Sequence, residues 1–261
     1  MSPFVLPVAL IAIVYVAMVV LNERIGLFRD RFPSRGAKIA AYVWLGIFMI
    51  LLCVVIVASS LSPPSAKDLA RVPFYSLFSL HAILFAFLLG WWLLTKRPPI
   101  REFLNLQTER RGHAVLIGLA VGVGGWMFTI AMALMIAMIL QALKVLPEQP
   151  EPSAMIAWMA NLPLWKKGLI VLSAMTVEEA FFRGWLQKRV GLIASTILFA
   201  LAHAGLGQPF LLIGVTLISL VIGYTFYRTK DLLPGIVAHG VFDAIQLFVI
   251  IPIAFRIAGV G

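Results

Sequence analysis

Long apolar runs separated by short polar segments constrain this chain more than any other feature. Eight runs occur, at residues 4–21, 39–61, 74–95, 114–143, 168–188, 191–206, 210–227 and 232–255. Most are close to the roughly 20 apolar residues that a helix needs to cross a bilayer. Because lipid offers no partner to backbone N–H and C=O groups, only helices or closed barrels span it. The runs therefore predict an all-α integral membrane protein, a bundle of about eight transmembrane helices.

Composition and charge agree with a membrane location. Of the 261 residues, 62% are hydrophobic and 12% are charged, whereas soluble domains are nearer half and a quarter. This excludes a soluble enzyme, and the single cysteine, Cys53, excludes an internal disulfide. The formal charge is +10, but the basic residues flank the apolar runs. We therefore expect contact with membrane lipids, including anionic headgroups, and no nucleic-acid partner.

The loop charges predict an orientation. The loops after the first, third, fifth and seventh runs carry 15 Lys and Arg residues, against six on the opposite side. The positive-inside rule places these odd-numbered loops in the cytoplasm and both termini outside a plasma membrane. The first run has no basic segment before it and no small-residue cleavage site after it, so we expect a retained span. Aromatic residues near the run ends are expected to form an interfacial belt: Trp91, Trp92, Trp126, Trp165, Trp185 and Tyr227.

A polar loop at residues 144–167, rich in Pro and Glu, predicts a division of the chain. We expect an N-terminal region of four spans at residues 1–147 and a C-terminal region of four spans at residues 148–261. In the fourth run, Gly118 and Gly122 form a small-xxx-small pair that indicates close helix packing.

Ionisable side chains within the runs fall mainly in the second half of the chain. They are Glu178, Glu179, Arg183, His203, His239 and Asp243. Counted from the predicted cytoplasmic edge, Glu178, His203 and His239 lie ten, twelve and nine residues into the membrane. These counts correspond to depths of about 13–18 Å, near the middle of the bilayer core. Such residues are costly in lipid and usually functional, so they predict a shared polar pocket. His81, alone in the third run, is expected to be a core histidine bonded to a backbone carbonyl.

The spacing within each run adds detail. Glu179 and Arg183 are four residues apart with the acid first, which favours a helical ion pair. Glu178 points about 100° away from Glu179 around the helix, so its carboxylate is left free for a role other than this ion pair. His239 and Asp243 have the same spacing and share a helix face.

A carboxylate with two imidazoles and a further acceptor supports three kinds of chemistry. Glu178 could act as a base that activates water, with a histidine holding the oxyanion. The set Glu178, His203, His239 and Asp243 could instead bind Zn²⁺, which lowers the pKa of its bound water to about 7. The same groups could also relay protons in a transporter.

Three motifs occur in order on the later runs. Residues 178–183 have the form EExxxR, residues 199–203 the form FxxxH, and residues 239–243 the form HxxxD. Together they resemble the CPBP (ABI) family of intramembrane proteases, which includes the type II CAAX prenyl endopeptidases. The resemblance covers about residues 165–250.

The resemblance implies an intramembrane endopeptidase. By analogy with the family, Glu178 activates water with His203, while His239 and the residue at position 243 stabilise the oxyanion. The implied substrate is a membrane-associated peptide or protein. In eukaryotic members of the family, a C-terminal tripeptide is removed after a prenylated cysteine.

Supporting roles follow from the same resemblance, and one position departs from it. Glu179 and Arg183 are implied to orient the site, with Phe199 beside them. Asp243 stands where the prenyl endopeptidases carry Asn, and an ionised Asp cannot donate to an oxyanion. Asp243 must then be protonated by burial, bind a metal or orient His239. This favours a zinc-dependent protease over the alternative, a metal-free Glu/His mechanism.

Two other functions stay open at the level of sequence. One is an ion- or proton-coupled transporter, which is expected to carry ionisable residues in both halves and an internal repeat. The other is a non-catalytic immunity or scaffold protein with the same fold.

Overall fold

The computed structural model describes residues 5–26, 28, 30–62, 65–106, 109–145, 154–206 and 208–257. Within these ranges the regular structure is helical and contains no strand. The predicted all-α membrane fold is therefore confirmed. The predicted boundary between the two four-span regions, at residues 147 and 148, lies outside the described residues.

Twelve α-helices account for most of the described part of the chain. They are α1 (Val5–Ile25), α2 (Arg35–Leu61), α3 (Ala66–Arg71), α4 (Ser79–Leu94), α5 (Ile100–Leu104), α6 (Arg111–Ala142), α7 (Ala154–Ala160), α8 (Leu164–Ser173), α9 (Lys188–Ala202), α10 (Pro209–Thr229), α11 (Leu232–Ala244) and α12 (Ile251–Ile257). Wider π-helical turns connect α8 to α9 at Ala174–Glu178 and Ala180–Gln187, and α11 to α12 at Ile245–Ile250. The long apolar helices in this set identify a multi-pass membrane protein.

The described residues include seven helices long and apolar enough to cross a membrane, and one of them covers two predicted runs. This helix, Leu164–Ala202, reverses at Gly191, whose φ of 83° and ψ of 175° are non-helical. Glycine adopts such a positive φ without the steric cost that a Cβ would bring. Beyond the turn, Ser195 Oγ donates to the carbonyl of Phe182 at 2.9 Å, so the two arms lie side by side. The eight predicted runs are thus all present, the fifth and sixth as a helical hairpin.

The loops predicted to face the cytoplasm meet at one end of the bundle. The backbone N–H of Lys96 donates to the carbonyl of Arg31 at 3.0 Å, and that of Leu232 donates to Asn105 at 2.9 Å. Lys188 Nζ donates to Asn105 Oδ1 at 3.0 Å. These bonds connect all four odd-numbered loops, and we call this the basic end. Its assignment to the cytoplasm stays a prediction from charge.

An aromatic core joins α2 and α4 to the π-helical segment. Trp91 and Trp185 meet edge to face with ring centroids 5.2 Å apart, and both are at most 1% exposed. Phe87 contacts Trp185 at 4.8 Å and Phe48 at 4.0 Å. The prediction of an interfacial belt was therefore wrong for these two tryptophans, because loops of the basic end cover them, with Phe28 5.4 Å from the Trp91 ring.

Helices α6 and α11 approach closely at two glycines. A Cβ added to Gly118 would lie 2.5 Å from Val237 Cβ, and one added to Gly122 would lie 2.6 Å from Val241 Cβ. The predicted helix contact is confirmed, and its partner is the helix that carries His239.

Candidate active site

The two acidic residues of the first motif lie where the fifth span widens into π-helical turns. Glu178 ends the first turn, Glu179 follows it, and Arg183 lies in the second. π-Helical turns are rare and frequently occur at functional sites. Both carboxylates are buried, with Glu179 completely enclosed. They point in different directions, as their spacing predicted.

Glu178 lies between two histidines from different helices. Its Oε1 is 2.9 Å from His81 Nε2, on α4. Its Oε2 is 3.8 Å from Nε2 of His203, which follows the last residue of α9. Oε2 is buried and has no hydrogen-bond partner among the described residues. One carboxylate oxygen is therefore fixed and the other is available.

A hydrogen bond on the side of the ring away from Glu178 sets the orientation of His203. Its Nδ1 lies 2.9 Å from the carbonyl of Phe199. A carbonyl only accepts, so Nδ1 carries a proton, and in the neutral ring Nε2 presents a lone pair toward Glu178. Phe199 also stacks on the His203 ring at 4.6 Å and on the Arg183 guanidinium at 4.6 Å. Phe199 therefore contacts both the His203 ring and the Arg183 guanidinium, and its supporting role stays a prediction.

Glu179 organises a second set of charges. Its Oε1 lies 2.9 Å from Arg183 NH1, which confirms the predicted pair, and 2.8 Å from His239 Nδ1. Arg183 NH2 donates to the carbonyl and the hydroxyl of Ser219, both at 3.1 Å. Removing one member of a buried charge pair leaves the other uncompensated, at a cost of about 3–5 kcal/mol. This set therefore also holds the fifth span against α10 and α11.

The contact between His239 and Asp243 requires a proton on one of the two side chains. With Nδ1 of His239 donating to Glu179, the remaining Nε2 lies 3.3 Å from Asp243 Oδ2. Two lone pairs do not face each other at this distance without a proton between them. Either His239 is doubly protonated or Asp243 carries the proton. If His239 is doubly protonated, its Nε2–H is a donor that points toward Asp243, on the side of the ring away from Glu179.

The structure thus brings together all the residues predicted for the site and adds one. Glu178, His203, His239 and Asp243 lie in one cluster with the supporting residues. His81 was expected to bond a backbone carbonyl, and that expectation was wrong, since its Nε2 meets Glu178. An ionisable side chain inside an apolar run was the sequence signal for a functional role, although it did not indicate Glu178 as the partner.

The predicted zinc ligands do not converge on one point. His239 is engaged at both nitrogens, and Glu178 is held by His81. Among the described residues, no group of three or more His, Cys, Asp or Glu side chains is arranged to hold a metal ion. The arrangement therefore does not fit the predicted ligand set of Glu178, His203, His239 and Asp243.

These features define a class: an all-α, multi-pass membrane protein with a glutamate–histidine site enclosed between its helices. Residues 160–245 match the family model described as type II CAAX prenyl endopeptidase Rce1-like. The resemblance predicted from the three motifs is confirmed over these residues, and it supports a membrane protease of the CAAX type in general. Comparison with curated proteins and with solved structures gave no match.

Proposed function

We propose that this chain is an intramembrane endopeptidase in which Glu178 activates the attacking water. The observation that carries the proposal is the unpartnered Oε2 of Glu178, 3.8 Å from Nε2 of His203, which bears a lone pair when the ring is neutral. A water placed about 2.8 Å from both atoms would donate one hydrogen to each. Its own lone pair would then be free to attack a peptide carbonyl, and Glu178 would accept the proton.

His81 would hold the base in place. With Glu178 ionised, His81 Nε2–H donates to Oε1. That bond keeps the carboxylate from rotating and leaves Oε2 as the oxygen that receives the proton from water. His81 thus acts through Glu178 as a positioning residue.

His239 is proposed to stabilise the oxyanion. As an imidazolium, it donates from Nδ1 to Glu179, and its Nε2–H, 3.3 Å from Asp243 Oδ2, would be shared between that carboxylate and the oxyanion. A donor fixed before the reaction stabilises developing negative charge without reorganisation. In this proposal Asp243 orients His239, so an Asp in place of Asn needs no role as a metal ligand.

The proposed substrate is a membrane-associated peptide whose scissile bond reaches the middle of the membrane. The similarity of residues 160–245 to CAAX prenyl endopeptidases favours a C-terminal segment that follows a lipidated cysteine. The many exposed apolar side chains of the outer helices are compatible with a lipid-bound substrate.

The test compares Glu178→Gln with wild type on a quenched fluorescent peptide that ends in a farnesylated CAAX sequence. The amide side chain of this variant keeps an oxygen for His81 but cannot accept a proton, so kcat should fall by about 10²–10⁴-fold. Glu109→Gln, at an exposed position, is the matched control and should cleave like wild type. The same peptide without its prenyl group measures how much the lipid contributes. Cleavage of neither peptide by wild type, or equal rates in Glu178→Gln, would refute the proposal.

A further inference from the structure

A cavity of about 1010 Å³ lies at the basic end, away from the Glu178 cluster. Its walls come from four of the connecting segments and the helix ends beside them: Phe28, Asp30 and Arg31, and parts of residues 95–105, 187–192 and 224–230. Cavities that bind small molecules usually measure about 300–1,000 Å³. The space is thus large enough for a ligand the size of a lipid headgroup, and no part of the proposed reaction uses it.

The cavity has an excess of positive charge. The charged residues in its walls are Arg31, Lys96, Lys188, Arg189, Lys230, Asp30 and Glu102. Arg189 NH2 reaches both oxygens of Asp30, at 2.8 and 2.6 Å, so this pair is neutral. The other four cations face one acid, Glu102, which leaves a formal excess of three positive charges.

Two of the cations that line the cavity are held by neutral groups. Lys188 Nζ donates to the carbonyl of Phe103 at 2.6 Å and to Asn105 Oδ1 at 3.0 Å. Lys230 Nζ lies 4.1 Å from the ring centroid of Tyr227. Within the described part of the chain, neither ammonium forms an ion pair with a carboxylate. These contacts fix the positions of the ammonium groups without placing a carboxylate in direct contact with either of them.

We infer that this cavity binds a phosphate-bearing anion, the headgroup of an anionic phospholipid or a free phosphate ion. Each oxygen of a phosphate can meet a separate ammonium group, and lysine binds phosphate as a point charge. Basic pockets between transmembrane helices at the cytoplasmic side are suited to anionic headgroups. The cavity lies beside the ends of the long apolar helices, and this location favours the lipid headgroup over the free ion.

The test uses the full-length protein in nanodiscs of phosphatidylcholine. One arm titrates dioctanoyl phosphatidylglycerol and the other titrates sodium phosphate, with bound adducts counted by native mass spectrometry. Lys96→Gln/Lys230→Gln removes two cavity cations whose ammonium groups form no hydrogen bond within the described residues. Arg101→Gln/Arg110→Gln removes two charges at the same end that do not line the cavity, and is the matched control.

We expect one phosphatidylglycerol per wild-type chain, and affinity weaker by roughly 30-fold in the lysine pair. The arginine pair should bind nearly as wild type does. Bound adducts in the sodium phosphate arm alone, weakened in the lysine pair, would assign the same site to the free ion. Equal weakening in both pairs would mean that only general surface charge attracts the anion, and would overturn the inference, as would an absence of binding in both arms. None of these readouts involves peptide cleavage.

Discussion

The contact between α6 and α11 leads to a sharp prediction, because α11 lies between α6 and the site. The α11 residues near Gly118 and Gly122 are on the side that faces α6. On its other side, α11 carries His239 and Gly235, whose added Cβ would lie 3.2 Å from Glu179 Oε2. Helix α11 therefore has little room to move in either direction.

The size of the effect follows from the distances. An alanine at position 118 would bring its Cβ to 2.5 Å from Val237 Cβ and 2.9 Å from the carbonyl oxygen of Pro234. Carbon atoms pack at about 3.5–4.0 Å, so the helices must separate by roughly 1 Å. Overpacking of this kind costs about 1–3 kcal/mol, against a gain of about 1 kcal/mol from replacing a helical glycine. A shift of about 1 Å in a catalytic group can cost 10²-fold in rate.

The assay compares Gly118→Ala and Gly122→Ala with Gly124→Ala. Gly124 is on the same helix, but a Cβ there would meet nothing within 4 Å. The first two variants should unfold at lower temperature in detergent and cleave the prenylated peptide about 10- to 100-fold more slowly, since His239 moves with α11. Gly124→Ala should be as stable as wild type or slightly more stable, and equally active. If all three variants behave alike, the close contact does not position His239 and the reasoning is wrong.

Three further predictions concern the site itself. Replacing His81 with Ala should lower kcat by about 10- to 100-fold at unchanged KM, because a hydrogen bond to the charged Glu178 is lost; Gln at this position, which can still donate, should recover part of the rate. Gly235→Ala should slow cleavage, because its Cβ would lie 3.2 Å from Oε2 of the enclosed Glu179, and the same crowding should offset the gain of about 1 kcal/mol from replacing a helical glycine; an unchanged rate would contradict this. Activity should survive chelation of metals, and elemental mass spectrometry should give the same low zinc content for wild type and His203→Ala; near-stoichiometric zinc lost in the variant would restore the metal-dependent alternative.

Helical periodicity was enough to predict the local geometry of the site. The spacing of Glu179 and Arg183 predicted their pair, and that of His239 and Asp243 predicted their contact, because both depend only on the rise and turn of a single helix. The matching depths of Glu178 and His203 also follow from counting residues along helices that begin at the same membrane edge. These contacts need no knowledge of which helices are neighbours.

Contacts that depend on helix neighbours could not be predicted in the same way. His81 and Glu178 are separated by 97 positions, and nothing in the run that contains His81 indicates that α4 packs against the fifth span. The widening into π-helical turns also has no periodic signature. Trp91 and Trp185 were assigned to the membrane interface because they lie near run ends, whereas the loops of the basic end fold over them.

The same neighbour contacts mean that the matched segment does not form the site alone. Residues 160–245 supply Glu178, but the partner of its Oε1 comes from α4. The rings of Phe181 and Trp185, on the same π-helical segment as Arg183, pack on Phe87. Without α2 and α4, these rings would lose their packing partners, and an oxygen of the buried carboxylate would lose its hydrogen bond, at a cost of about 1–3 kcal/mol or more. The N-terminal helices therefore act as part of the site, because they set which oxygen of Glu178 is left without a hydrogen-bond partner among the described residues.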